Sequence, residues 1–351
     1  MVIERLDETH MKSLALGATF LGSGGGGKVR LSCLLAERLL REVGFVRVLS
    51  PETFSGTAAA VGLTGAPQID DEMLPSGRDL VVAVQVLSST VNIPIEAIVW
   101  QEIGGSNALF AIAAAALLGV PLIDADTMGR AFPKVSMSTP FLGTSLVGKH
   151  IVLANAKSRS AVLSAFDGDF VDSAVEALAP SFGGVSALAF GPITFSPGHC
   201  DVPVISGSLS RALAIGQTLR TIDSLDDLCC KLTEQGMARC YIGKVVGLLE
   251  DRARDGTFRA ICSIRVTEPI SFPLRLDFQN EFLLLSSDGA ILASVPDVIS
   301  VLDGKTLELL SPDELRYGQT VAVITTESSH VWRTTEGNNM VGAARFGYSD
   351  V

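Results

Sequence analysis

Two short stretches of this chain carry residue types that do chemistry. One is Glu102-Ile103-Gly104-Gly105-Ser106-Asn107, and the other is Asp124-Ala125-Asp126-Thr127-Met128-Gly129-Arg130-Ala131-Phe132-Pro133. Carboxylates, an arginine, an asparagine and paired glycines here close off apolar runs, where a hydrophobic core has no use for them. Glu102, Asp124 and Asp126 are candidate metal ligands or proton-moving groups. Arg130 offers two-point recognition of a substrate carboxylate, and Asn107 is a second substrate-orienting group. The competing reading is structural: the carboxylates cap helices and pair with Arg130.

Two further segments are candidates. Gly24, Gly25, Gly26 and Gly27, in the run Leu21-Gly-Ser-Gly-Gly-Gly-Gly27, can expose successive amide N–H groups ahead of a helix. That pattern suits an anion or a substrate backbone. Lys28-Val29 stands where a P-loop needs Lys-Ser/Thr, and a helix rather than a strand precedes the loop, so a nucleotide is disfavoured. In Ser196-Pro-Gly-His199-Cys200-Asp201, His, Cys and Asp adjoin. Either His199 and Cys200 join Asp126 around zinc or another divalent ion, or Cys200 is a nucleophile, or the segment is a plain loop.

The elements that position these residues follow from periodicity. Asp7 caps a first helix through Met11, Leu14 and Ala18, and a second helix carries Leu31, Leu34, Leu35 and Leu39 and ends at Gly44. Phe45 to Leu49 and Ala58 to Leu63 read as buried strands, and Asp79 to Leu87 as a helix. Ile95 to Trp100 is a strand, Ser106 or Asn107 caps an Ala-rich helix to Leu118, Gly119 closes it, and Val120 to Ile123 is the next strand. Strand, helix, strand predicts a parallel sheet, with Glu102 and Asp124 just beyond strand ends. Beyond Met237 the pattern turns to strands, punctuated by Arg254-Asp-Gly256, Ser287-Asp-Gly289 and Asp303-Gly304.

Composition sets bounds. The chain has 351 residues, 47% hydrophobic and 19% charged, which indicates a well-buried globular protein of more than one domain. Its longest apolar run, Ala108 to Val120, is too short to span a bilayer and reads as a helix buried on all sides. A net charge of -11 with no basic run argues against nucleic acid and anionic membrane as partners. The N-terminal residues carry no export signal, and the six cysteines form no Cys-x-x-Cys pair. A cytoplasmic protein with reduced thiols is the expectation.

Taken in order, the glycine run, Glu102–Asn107, Asp124–Pro133, Gln279-Asn-Glu281, Pro296-Asp297, Arg316-Tyr-Gly-Gln319 and Phe346-Gly-Tyr348 resemble the S-methyl-thiohydantoin desulfurase family, which is linked to hydantoinase/oxoprolinase-type proteins. The resemblance implies an N-terminal α/β part and a β-rich C-terminal part, drawn here as residues 1–165 and 166–351. It also implies chemistry on a five-membered hydantoin-like ring. Combined with the residues above, the expectation is a hydrolase of a cyclic imide, hydantoin or thiohydantoin. Water would attack the ring C=O or C=S carbon with metal assistance, Glu102 or Asp126 moving protons and the glycine amides steadying negative charge. Two rivals are an ATP-dependent ring opener with phosphate on the glycine loop, and a non-catalytic subunit of a hydantoinase-like complex. A homo-oligomer is the base expectation for assembly.

Overall fold

The computed structural model describes residues 3–65, 75–143, 146–164, 166–234, 238–252, 258–266 and 271–348. They fall into two compact units: Met1–Ala18 with Gly26–Gly216, and Thr19–Gly25 with Gln217–Val351. The first helix, α1 (Met11–Leu21), thus begins in one unit and ends in the other.

The first unit is a 10-stranded mixed sheet with helices. Its strands are β1 (Arg5–Leu6), β2 (Val46–Leu49), β3 (Gly56–Gly65), β4 (Ala97–Trp100), β5 (Leu122–Asp126), β6 (His150–Ala154), β7 (Ser160–Ser164), β8 (Val185–Ser196), β9 (His199–Cys200) and β10 (Ile205–Ser206). Their order is β1-β2-β5-β4-β3-β8-β6-β7, with β9 on β8 and β10 on β5. The centre, β2-β5-β4-β3, is parallel, and the flanks are antiparallel. Its helices are α2 (Val29–Val43), α3 (Arg78–Val91), α4 (Asn107–Leu118), α5 (Gly168–Phe182) and α6 (Ser208–Leu219).

The β4–α4–β5 unit shows why the sequence folds this way. Ala97, Ile98, Val99 and Trp100 are all buried, as parallel strands covered on both faces require. Alternate residues Ala97, Val99, Ile123 and Ala125 share one core with Val171 and Val175 of α5. Helix α4 is buried on nearly every side, as its apolar run predicts. It ends where Gly119 takes a left-handed φ of 69°. The Trp100 indole donates to the Ala108 carbonyl at 2.7 Å, fixing the helix start against the strand end.

The second unit is an 8-stranded antiparallel sheet of order β15-β14-β13-β12-β11-β18-β16-β17. The strands are β11 (Arg239–Arg252), β12 (Phe258–Val266), β13 (Phe272–Phe278), β14 (Phe282–Ser287), β15 (Ala290–Ser294), β16 (Val298–Asp303), β17 (Leu309–Leu310) and β18 (Thr320–Thr326). Strands β14 and β15 come against β16, so the sheet curls around one core that includes Ile264, Leu276, Phe282, Leu285, Ile299 and Val323. Two helices accompany it, α7 (Leu225–Glu234) and α8 (Thr335–Val341). Asp288 and Gly289 both take positive φ between β14 and β15, as the Ser287-Asp-Gly289 hairpin signal requires. The Arg254-Asp-Gly256 turn lies outside the described residues.

Residues 166–216 pack with the first compact unit, where β8 pairs with both β3 and β6. Two expectations change. Strand β5 runs through Asp126, so Asp124 and Asp126 lie within the strand rather than beyond it. The thiols are not all reduced: Cys229 is bonded to Cys240. No helix among the described residues is long and apolar enough to cross a membrane.

Candidate functional site

The loops that leave β4 and β5 lie side by side, and Asp126 fastens them together. Its carboxyl, fully buried, accepts the N–H groups of Ile103 (3.1 Å), Met128 (3.2 Å) and Gly129 (2.6 Å), and the hydroxyl of Ser208 at the start of α6. Burial pushes this carboxyl up to about 6, against the lowering effect of those four donors. Asp124, two residues earlier in the same strand, accepts the N–H groups of Leu209 (2.8 Å) and Ser210 (3.4 Å) and the Ser210 hydroxyl (2.6 Å). The two aspartates therefore hold the N-terminus of α6 and the turn after β5, the capping role weighed in the sequence.

Glu102 is a buried carboxylate held between the two loops. One oxygen accepts the Phe132 N–H at 3.1 Å and the other accepts the Asn107 side-chain amide at 2.7 Å. Asn107 is itself locked to β3, accepting the Leu63 N–H at 2.6 Å and donating to the Leu63 carbonyl at 3.2 Å. It positions Glu102 rather than a substrate. Arg130 is buried, donates to the Ala131 carbonyl at 3.0 Å and lies over the Phe132 ring at 5.3 Å. Glu102, Arg130 and Phe132 thus come together, whereas Asp124 and Asp126 serve the scaffold beneath them.

The glycine loop is taken up by the protein's own packing. In the second unit, the Ser23 hydroxyl donates to Ile299 O (2.7 Å) and accepts from Ile299 N–H (3.0 Å), while Phe282 N–H donates to Ser23 O (2.8 Å). A Cβ on Gly24 would meet the Phe282 ring and Pro312, and one on Gly25 would meet the Glu281 side chain at 2.6 Å. A carboxylate already lies against Gly25, which is the reverse of an anion cradle. In the first unit, Gly26 faces the backbone of Gly104 and Gly105, its carbonyl accepting the Ser106 N–H at 2.8 Å, and Gly27 faces the Ser106 hydroxyl. The steadying role expected of Gly24 to Gly27 gives way to close backbone packing.

His199 and Cys200 sit elsewhere, on β9, paired with Ser196 and Phe195 of β8. Burial pushes the Cys200 thiol up to about 11, unlike an activated nucleophile. Asp201 is engaged by the half-buried hairpin itself, pairing with Lys149 and accepting the Thr194 N–H. Among the described residues no three His, Cys, Asp or Glu side chains form a group able to hold a metal, so His199, Cys200 and Asp126 do not fit the divalent ion expected.

The comparisons with known proteins agree with this architecture. Residues 9–165 match the family model described as S-Me-THD-like, N-terminal domain, and residues 167–351 match S-Me-THD-like, C-terminal domain. The chain belongs to the S-Me-THD-like family. A crystal structure of a Chromobacterium violaceum protein from a structural genomics programme is similar in fold, with a TM-score of 0.77, 22% identity, and 99% of this chain and 97% of that one covered. No curated protein matches the chain. Several members of this cluster escaped sequence reading. Ser208 and Ser210 bear on the two aspartates, and their signal was two serines following Gly207 in the first turn of α6. Phe132 contributes its backbone N–H, which no side-chain pattern announces.

Proposed function

We propose that this chain is a hydrolase of a thiohydantoin- or hydantoin-like ring, with Glu102 as the proton-moving group. The observation that supports this reading is a carboxylate fixed at both oxygens, by Phe132 N–H and Asn107, where the β4 and β5 loops meet. The family's thiohydantoin-related name supports the substrate class. Glu102 is 5% exposed, so a water reaching it is screened from bulk solvent, which strengthens its interaction with the carboxylate.

In the reaction, a water gives one proton to Glu102 as its oxygen bonds to the ring carbon that carries sulfur. The carbon–sulfur bond then breaks, and the proton passes from Glu102 to the departing sulfur. An S-methyl-thiohydantoin and water become a hydantoin and methanethiol. Arg130 and Phe132 shape the surface against which the planar ring lies, and Asp126 keeps the two loops in register.

The test is hydantoin formation from an S-methyl-thiohydantoin in oxygen-18 water, followed by mass spectrometry. Wild type is expected to place the heavy oxygen in the ring carbonyl. Glu102→Gln is expected to lower kcat by about 10²–10⁴-fold while the chain still unfolds cooperatively. No turnover by wild type would overturn the substrate class, and an unimpaired Glu102→Gln would overturn the role of Glu102.

A further inference from the structure

The reactive sulfur of the described chain is concentrated in one place. Cys33 and Cys200 are half-buried and Cys262 is buried, and desolvation pushes their thiols up to about 11, 11 and 12. Such thiols stay protonated near neutral pH and react slowly. Cys229 of α7 and Cys240 of β11 are instead joined, with Cα atoms 5.4 Å apart, an ordinary disulfide separation. Both are partly exposed, and the neighbouring free Cys230 is exposed. An electrophilic disulfide and an open thiol therefore lie side by side in the middle of α7.

We propose that Cys229–Cys240 is a thiol–disulfide exchange site, opened by small thiols of the glutathione class and reformed by the corresponding small-molecule disulfide. A thiolate sulfur bonds to one of the two cysteines, and the sulfur–sulfur bond breaks with its electron pair leaving on the other, which takes up a proton. A second small thiolate then attacks the mixed disulfide, freeing the remaining cysteine and releasing the small-molecule disulfide. Two electrons pass from the small thiols to the protein. Leu225, Leu228 and Leu232 of α7 remain buried at helical spacing, so the opened form keeps its helix packed.

The full chain is equilibrated in glutathione buffers of graded oxidised-to-reduced ratio, quenched in acid, alkylated and peptide-mapped. The expected result is a reversible change from linked to alkylated Cys229 and Cys240, with Cys33, Cys200 and Cys262 unlabelled in the folded protein. The opened form is expected to melt about 5–10 °C lower, because the link closes a short loop. In Cys240→Ser the melting midpoint is expected to ignore the glutathione ratio. A link absent in every buffer, a link unchanged in the most reducing buffer, or a Cys240→Ser midpoint that follows the ratio as wild type does would each overturn the proposal.

Discussion

Asp126 makes the placement of the β4 and β5 loops measurable through pH. Its carboxyl is fully buried and pushed up to about 6, where an ordinary aspartate titrates near 3.8. A folded-state value above the unfolded one means that the native protein binds the proton more tightly between those values. Stability contributed by the protonated group is therefore present at low pH and lost as pH rises through about 6. The gap corresponds to about 3 kcal/mol. Asp126→Asn keeps an oxygen for the Ile103, Met128 and Gly129 N–H groups and offers its amide to the Ser208 hydroxyl, but carries no charge. The stability of Asp126→Asn relative to wild type should therefore rise by about 2.4 kcal/mol between pH 4 and pH 7. Urea unfolding in a Trp332→Phe background reads this directly, because Trp100, the other of the two tryptophans, is buried in the same unit as Asp126. A wild-type-to-variant difference that stays flat across that range would refute the burial argument. A difference of opposite slope would show that the four donors outweigh desolvation.

The packing of the glycines and of Ser23 gives two further tests. Gly105→Ala is expected to cost about 3 kcal/mol or more, because its Cβ would fall 2.0 Å from the Gly26 carbonyl oxygen at a φ of +67°. Gly119→Ala, at a φ of +69° with nothing within 4 Å, should cost about 1–2 kcal/mol; equal losses by thermal melting would discount the Gly26 contact. Ser23→Ala strands the buried Ile299 N–H and carbonyl and is expected to cost the second unit about 2 kcal/mol, read by Trp332 fluorescence in urea. An unchanged midpoint would mean that the loop is not held by that hydroxyl.

Much of the fold is legible in local pattern. The strand expected at Ile95–Trp100 is observed as Ala97–Trp100, and the helix ending at Leu118 with Gly119 in the left-handed conformation forms as its apolar run and glycine require. Local chemistry suffices there, because burial on all sides and the freedom of glycine are properties of a few neighbouring residues. Sheet order is less local. Strand β8 inserts next to β3, in a part of the chain whose sequence gives no sign of which sheet it will join, and this carries residues 166–216 into the first unit.

By itself, the sequence determined the element types, an α/β part followed by a β-rich part, and the stretches that would hold polar residues at strand ends. The tertiary structure decided which donors each of those residues meets. Asp124, Asp126 and Glu102 are alike as residue types, yet Asp126 is sealed beneath four donors, Asp124 caps α6, and Glu102 is held at the meeting of two loops. The same holds for Gly25, whose partner Glu281 is remote in sequence, and for Cys229, whose partner lies on a different element. A carboxylate's chemistry depends on the donors and the burial around it. Those are supplied by backbone groups and distant side chains that meet only when the chain has folded.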